Sequence, residues 1–198
     1  RADDRSSLVA RYAEAAAQVG PSNVIVQELI PGGGEAQFSF AAVCDRGVPV
    51  ASLVARRTRQ YPIEFGYTST YVECVDQPRV EESARRILQA IGLSGLVEVE
   101  FKFDVRDGTY KILDINPRAW AWIGLGAAAG VDFPWIALRL AHGETIAPSQ
   151  PRVGMAWMHA SRDLVAACQE IWAGKRSLWS YFDVRSEEHT SELQSHHD

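Results

Sequence analysis

The chain has 198 residues, 46% of them hydrophobic and 23% charged, with a formal net charge of −5. That is the length of one domain with enough apolar content to bury a core, and the absence of a basic stripe argues against nucleic acid as the main partner. Cys44, Cys74 and Cys168 are isolated and lack metal-ligand spacing, which fits a reducing cytoplasm; no apolar run is long enough to span a bilayer and no signal peptide is visible.

In chain order, Ser6 to Val19 has helical spacing, with Leu8, Val9, Tyr12, Ala15 and Ala16 toward one face and Gly20-Pro21 as its stop. Val24 to Ile30 reads as a short apolar strand ended by Pro31 and three glycines. Glu35 to Cys44 alternates as a strand, and Asp45-Arg46-Gly47 turns it into a second one, Val48 to Ala55. Arg56 to Gly66 reads as a loop, Thr68 to Val75 as a strand and Pro78 to Ile91 as a helix, on the spacing of Val80, Ala84, Ile87, Leu88 and Ile91. Two helical stretches, Trp120 to Ala129 and Phe133 to His142, are divided by Gly130, and Val165 to Trp172 reads as the last helix. Strands joined largely by hairpins, with helices interspersed, predict an α+β fold built on a mostly antiparallel sheet.

The stretch Leu96 to Arg118, LVEVEFKFDVRDGTYKILDINPR, carries the strongest chemistry. Val97, Val99, Phe101 and Phe103 alternate with Glu98, Glu100, Lys102 and Asp104, the period of a strand with one buried face. Asp107-Gly108 is a hairpin signal, and Tyr110 to Ile115 is the return strand. Glu100 on one strand and the Asp114-x-Asn116 pair at the end of the next can therefore converge, and hard oxygen ligands of this kind suit Mg²⁺ in nucleotide enzymes. Taken alone, acidic residues on a hairpin are better explained by a solvated face, and Asn-Pro is a common turn. The ordered string of carboxylate, hairpin, D-x-N-x-R and two tryptophans is far more specific.

DINPRAWAW after an acidic strand resembles the end of the ATP-grasp fold, where E-x-N-x-R is the usual form, and in particular ATP-grasp proteins of the carboxylate–amine ligase type. The likeness covers Val24 to Asp183. It implies that Glu100, Asp114 and Asn116 bind two Mg²⁺ ions, with Mn²⁺ as an alternative, and that Arg118 faces the acyl phosphate or the substrate carboxylate. Asp114 stands where many such proteins carry Glu, and its shorter arm still presents two oxygens. In VQELIPGGGEAQFSF, the order of strand, Glu-Leu, turn and Glu resembles the adenine hinge of these enzymes. That implies an adenine contact around Gln27, Glu28 and Leu29 and a ribose contact from Glu35; a plain hairpin with a glycine loop is the alternative. The glycines are not a phosphate loop, since no Lys-Ser/Thr and no helix follow them. Arg57 and Arg59 would share a face if their strand continued, and could clamp phosphate or carboxylate, although a solvated charge run explains them equally. Lys102 could reach a phosphate or pair with Glu98. Trp120 and Trp122 are expected in the core rather than in a pocket wall, and neither His142 nor His159 has a partner that suggests catalysis.

The resemblance implies an ATP- and Mg²⁺-dependent ligase joining a small carboxylate to an amine through an acyl phosphate. A carbamoyl-phosphate-synthase-like or biotin-carboxylase-like enzyme acting on bicarbonate, a non-catalytic ATP-binding module and a purely structural hairpin domain are the alternatives. Residues 1–184 are expected to be the C-terminal part of an ATP-grasp domain whose N-terminal lobe is missing, so that the isolated chain binds ATP weakly and does not turn it over. From Arg185 to His196, RSEEHTSELQSH reads as a translated frame of a short-read sequencing adapter, so residues 185–198 are expected to be a non-native, disordered tail. Without that tail's one arginine and four acids the net charge falls from −5 to −2.

Overall fold

The computed structural model describes residues 1–61 and 68–161 together with Val165, Cys168 and Ile171, with the side chains of residues 59–61 and 68 excepted. The expected helix at Val165 to Trp172, most of the loop's second half and the tail at 185–198 lie outside the described residues. The chain forms two compact units, Arg1–Pro31 and Gly32–Asp198.

The first unit is built on helix α1 (Arg5–Val19). Asp4 caps it, accepting from the Ser7 N–H at 2.8 Å while the Ser7 hydroxyl accepts from the Asp4 N–H at 3.2 Å, a reciprocal cap that satisfies two otherwise orphaned donors. After a 3-10 turn at Pro21–Asn23, Val24 to Ile30 is extended in sequence pattern but pairs with no strand among the described residues, so the expected strand there is not formed. A strand is completed by its neighbour's ladder, and alternation alone does not supply one.

The second unit is a six-stranded antiparallel sheet in the order β5-β4-β1-β2-β3-β6. Its strands are β1 (Gln37–Asp45), β2 (Val48–Tyr61), β3 (Thr68–Val75), β4 (Gly95–Asp104), β5 (Thr109–Asn116) and β6 (Ala156–Met158). β1 to β3 form a meander, and helix α2 (Pro78–Ile91) then carries the chain back across the sheet so that β4 pairs with β1. The helix begins with Pro78 in its first turn and ends on Gly92 in the left-handed conformation, the expected start and stop signals. β2 runs on through Tyr61, where a loop from Arg56 was expected. Its continuation is held by pairing with β3, Arg56 opposite Glu73 and Arg57 opposite Val72. Cross-strand partners thus override a composition that reads as polar loop.

Both faces of the sheet are covered. On one, Val80, Ala84 and Leu88 of α2 pack on Phe40, Ala42, Val54, Val97, Val99 and Phe101. On the other, Trp120, Trp122, Leu125, Ala129, Val131, Phe133 and Ile136 pack on Ala41, Val43, Leu53, Ala55, Val72 and Cys74. These covering residues come from a turn-rich stretch, from α3 (Gly124–Ala129) and from α4 (Phe133–Ala141). The helix expected from Trp120 starts only at Gly124. Trp120 and Trp122 both bury against the sheet, at 4% and 2% exposure, and residues two apart in a helix would point to nearly opposite sides. A Cβ at Gly126 would collide with the Val131 carbonyl and the Phe133 ring, so glycine there is what lets α3 close on the chain that follows it.

Candidate functional site

The decisive local feature is a β-bulge. From Asp104–Thr109 to Phe101–Ile112, β4 and β5 pair without a break, and then Glu100 pairs with Asp114, leaving Leu113 as an extra residue. Side chains alternate with period two, so a one-residue slip sends every following side chain to the other face. Without the bulge, Leu113 and Ile115 would lie beside Glu100. With it, Asp114 and Asn116 share the face of Glu100 and Glu98, while Ile115 turns to the α2 side and packs against that core.

Ladder pairing then adds Ser39 and Gln37 from β1, and Arg57 from β2, to the same face. Four of these residues and Arg118 form a continuous polar chain. Arg57 Nη1 donates to Gln37 Oε1 at 2.7 Å, and its Nη2 lies 3.4 Å from Glu100 Oε2. The other Glu100 oxygen accepts from Asn116 Nδ2 at 3.0 Å, and Asn116 Oδ1 accepts from Arg118 Nη2 at 3.1 Å. The Arg57 and Glu100 side chains are largely sheltered, at 11% and 21% exposure. Asp114 is exposed, and its Oδ1 accepts from the neighbouring Ile115 N–H at 2.8 Å.

Glu98 departs from expectation. Its strand was expected to have one buried face, with the carboxylates on the solvated one, yet Glu98 is 4% exposed because the tryptophan layer covers that half of the sheet. Burial, followed by the nearby Glu100 charge, pushes its carboxyl up to about 7, against smaller opposing effects of Ser39, Arg57 and Trp122. Its Oε1 has no hydrogen-bond partner among the described residues. Burial likewise lifts the Cys44 and Cys74 thiols to about 11.

The remaining expected residues are distributed as follows. Gln27, Glu28 and Leu29 are exposed in the first unit, where Gln27 lines a cleft of about 240 Å³ with Tyr12, Arg11 and Val26. Glu35 lies in a 3-10 turn at Gly34–Ala36 and not on the strand, which starts at Gln37. Its Oε1 accepts from the Gly33 N–H at 2.9 Å, so the carboxylate closes its own glycine turn. Lys102 secures that turn from β4, donating to the Gly32 carbonyl at 2.7 Å, where Gly32 has a φ of +101°. Burial lowers the Lys102 ammonium from its usual range, and Glu35 works in the opposite direction. The Arg59 side chain lies outside the described residues. Gln37, Ser39 and Glu98 were not singled out by sequence. Only the register opposite Lys102, Glu100 and Ala41 reveals them, and register is a tertiary fact.

This arrangement offers two carboxylates and a side-chain amide oxygen on one face, flanked by two guanidinium groups. Among the described residues no cluster of three or more His, Cys, Asp or Glu could hold a metal. A cation here would therefore draw its remaining ligands from phosphate and water, as Mg²⁺ in nucleotide sites does. The hard-oxygen donor set fits that ion. Among the described residues, no helix is long and apolar enough to cross a membrane.

Comparison with known proteins identifies the family and the fold. A family model described as ATP-grasp in the biosynthetic pathway with Ter operon matches residues 22–162. No curated protein matches the sequence. Among solved structures, biotin carboxylase from Campylobacter jejuni, in a beta-gamma-ATP complex, is 18% identical with a TM-score of 0.56, over 76% of this chain and 34% of that one. The biotin carboxylase domain of 2-oxoglutarate carboxylase from Hydrogenobacter thermophilus, solved with MgADP and bicarbonate, is 18% identical with a TM-score of 0.59, over 76% and 35%. L-amino acid ligase from Bacillus licheniformis is 18% identical with a TM-score of 0.50, over 71% and 36%. The chain thus spans about a third of the length of these structures, and the likeness shows a shared fold. With more than half of its residues matched by the family model, the chain belongs to the ATP-grasp family.

Proposed function

We propose that this chain carries the metal and phosphate end of an ATP-dependent carboxylate–amine ligase. In this reading a substrate carboxylate oxygen attacks the γ-phosphorus of ATP, the bond to the bridging oxygen breaks, and ADP leaves. The amine then attacks the acyl carbon, loses a proton, and inorganic phosphate departs. Glu100, Asp114 and Asn116 would hold Mg²⁺, one or two ions, which neutralises charge on the phosphates when bound. The carrying observation is the bulge at Leu113, which brings these three side chains to one face.

Arg118, tied to Asn116 at 3.1 Å, is positioned beside the donors to hold anionic oxygens of the acyl phosphate or the carboxylate. Arg57, and Arg59 next along β2, would serve the phosphates. Lys102 and Glu35 organise the glycine turn, with Glu35 free to exchange its backbone contact for a ribose hydroxyl. Gln27, Glu28 and Leu29 would supply the adenine edge. Buried free thiols at Cys44 and Cys74 agree with a reducing, cytoplasmic location.

The test is ADP release by the full-length product of the parent gene, with Mg²⁺, against a panel of amino acids, other carboxylates and bicarbonate. Release that requires both a carboxylate and an amine is the expected result. Release with bicarbonate alone would move the protein to the bicarbonate-activating class, and tight MgATP binding without release would make it a nucleotide-binding module. Glu100→Gln and Asp114→Asn should each lower turnover by about two orders of magnitude or more while the protein stays folded. Near-wild-type turnover in either variant would remove that residue from the site.

A further inference from the structure

Each oxygen of the Glu100 carboxylate faces a partner within the protein. One oxygen accepts from Asn116 Nδ2 at 3.0 Å and the other faces Arg57 Nη2 at 3.4 Å. The two bonds differ in kind. The Asn116 contact joins adjacent strands of one hairpin, leaves the Asn116 Oδ1 available for Arg118, and involves a neutral amide. The Arg57 contact brings in a full positive charge from β2, across the intervening strand β1, in a setting sheltered enough to strengthen it. Gln37 fixes the guanidinium by accepting from its other terminal nitrogen at 2.7 Å, the shorter of the two Arg57 contacts. A guanidinium and a divalent cation on one carboxylate oxygen repel each other at close range, so each weakens the hold of the other.

We propose that Arg57 is a built-in competitor of the metal: anchored by Gln37, it neutralises Glu100 in the metal-free protein and must release that oxygen before a divalent ion binds. This rests on the reading of Glu100 as a metal ligand. It assigns Arg57 a regulatory role at that site, with Gln37 as a positioning residue that sequence did not reveal. The arrangement makes metal and nucleotide binding cooperative. Arriving phosphate oxygens offer the displaced guanidinium a new anionic partner, so the metal alone binds weakly and the metal with nucleotide binds well.

The experiment measures Mn²⁺ affinity by electron paramagnetic resonance on the full-length protein, without nucleotide and then with ADP. Arg57→Gln should bind Mn²⁺ alone about tenfold more tightly than wild type, and should lose most of the enhancement that ADP produces in wild type. Arg57→Lys keeps the charge without the two-pronged geometry and should fall between the two. Arg56→Gln removes a nearby positive charge that pairs with Glu73 instead, at 3.5 Å, and should leave Mn²⁺ affinity within about twofold of wild type. A residue with only a structural role would weaken both measurements together. Unchanged or weaker Mn²⁺ binding by folded Arg57→Gln and Arg57→Lys, alongside lost binding in Glu100→Gln, would overturn the competition and leave the metal site standing. Wild-type Mn²⁺ binding by Glu100→Gln would overturn the metal site itself.

Discussion

Glu98 and Glu100 lie two residues apart on the same strand and the same face, yet they live in opposite environments. Glu98 sits under the tryptophan layer, with one oxygen unpartnered among the described residues and its carboxyl pushed up to about 7. Glu100, just past the edge of that layer, has both oxygens engaged by Asn116 and Arg57. The strand does not distinguish them; what covers the sheet does. A single face is thus divided into a dry half that holds the fold and a polar half that gathers the candidate site.

The sharpest way to break this division is to remove the bulge. Deleting Leu113 restores plain alternation and turns Asp114 and Asn116 toward the α2 side. Mn²⁺ affinity should then fall by about 100-fold or more, whereas Leu113→Ala keeps the extra residue and should keep affinity within about twofold. Wild-type affinity in the deletion would show that the bulge does not aim the site.

Opening the dry half comes next in size. Trp122→Ala removes a side chain only 2% exposed and packed in ring contact with Trp120, at 5.5 Å between centroids. The expected cost is about 3–5 kcal/mol in denaturant unfolding, and a loss below 1 kcal/mol would contradict the packing described. Neutralising the buried acid works the other way. Because the folded protein raises the Glu98 carboxyl from an ordinary 4.5 to about 7, it binds a proton the unfolded chain has released, and stability falls as pH rises through that window. Glu98→Gln should therefore stabilise the metal-free protein by roughly 2–3 kcal/mol at pH 8 and by almost nothing at pH 4. A stability difference that does not change with pH would rule the buried-acid account out.

Thiol chemistry gives the mildest probe. Cys74 belongs to the core under the tryptophans, Cys44 to the opposite core, and Cys168 is exposed. At pH 8 iodoacetamide should modify Cys168 first, with Cys74 and Cys44 slow because burial holds their thiols protonated to about 11. Trp122→Ala should speed Cys74 and leave Cys44 nearly unchanged. Equal acceleration of both would mean that the two cores open together.

Sequence carried the fold to the extent that its periodicities were clean. Helix α2 matches the expected Pro78 to Ile91 span, and the β4–β5 hairpin lies where Asp107-Gly108 places it. The donors Glu100, Asp114 and Asn116 were legible as residue types in order. Their convergence was expected from the hairpin, but the bulge that produces it was not, because the extra Leu113 hides in the run Lys111-Ile112-Leu113-Asp114, where nothing in composition marks the slip. The extension of β2 beyond Ala55 was obscured by its arginines, whose place in a strand depends on β3 lying alongside. Burial of Glu98 depends on residues more than twenty positions later folding over it, and Gln37 becomes part of the site only through β1–β2 register.

The route of the chain also fixes the order in which this site can assemble. The Glu100–Asn116 bond spans 16 residues within one hairpin and can close early, while the Arg57–Glu100 pair spans 43 and waits until the helical crossover has seated β4 against β1. Loop closure makes short-range contacts the faster ones. A refolding chain should therefore close its acidic hairpin before the sheet brings Arg57 alongside Glu100.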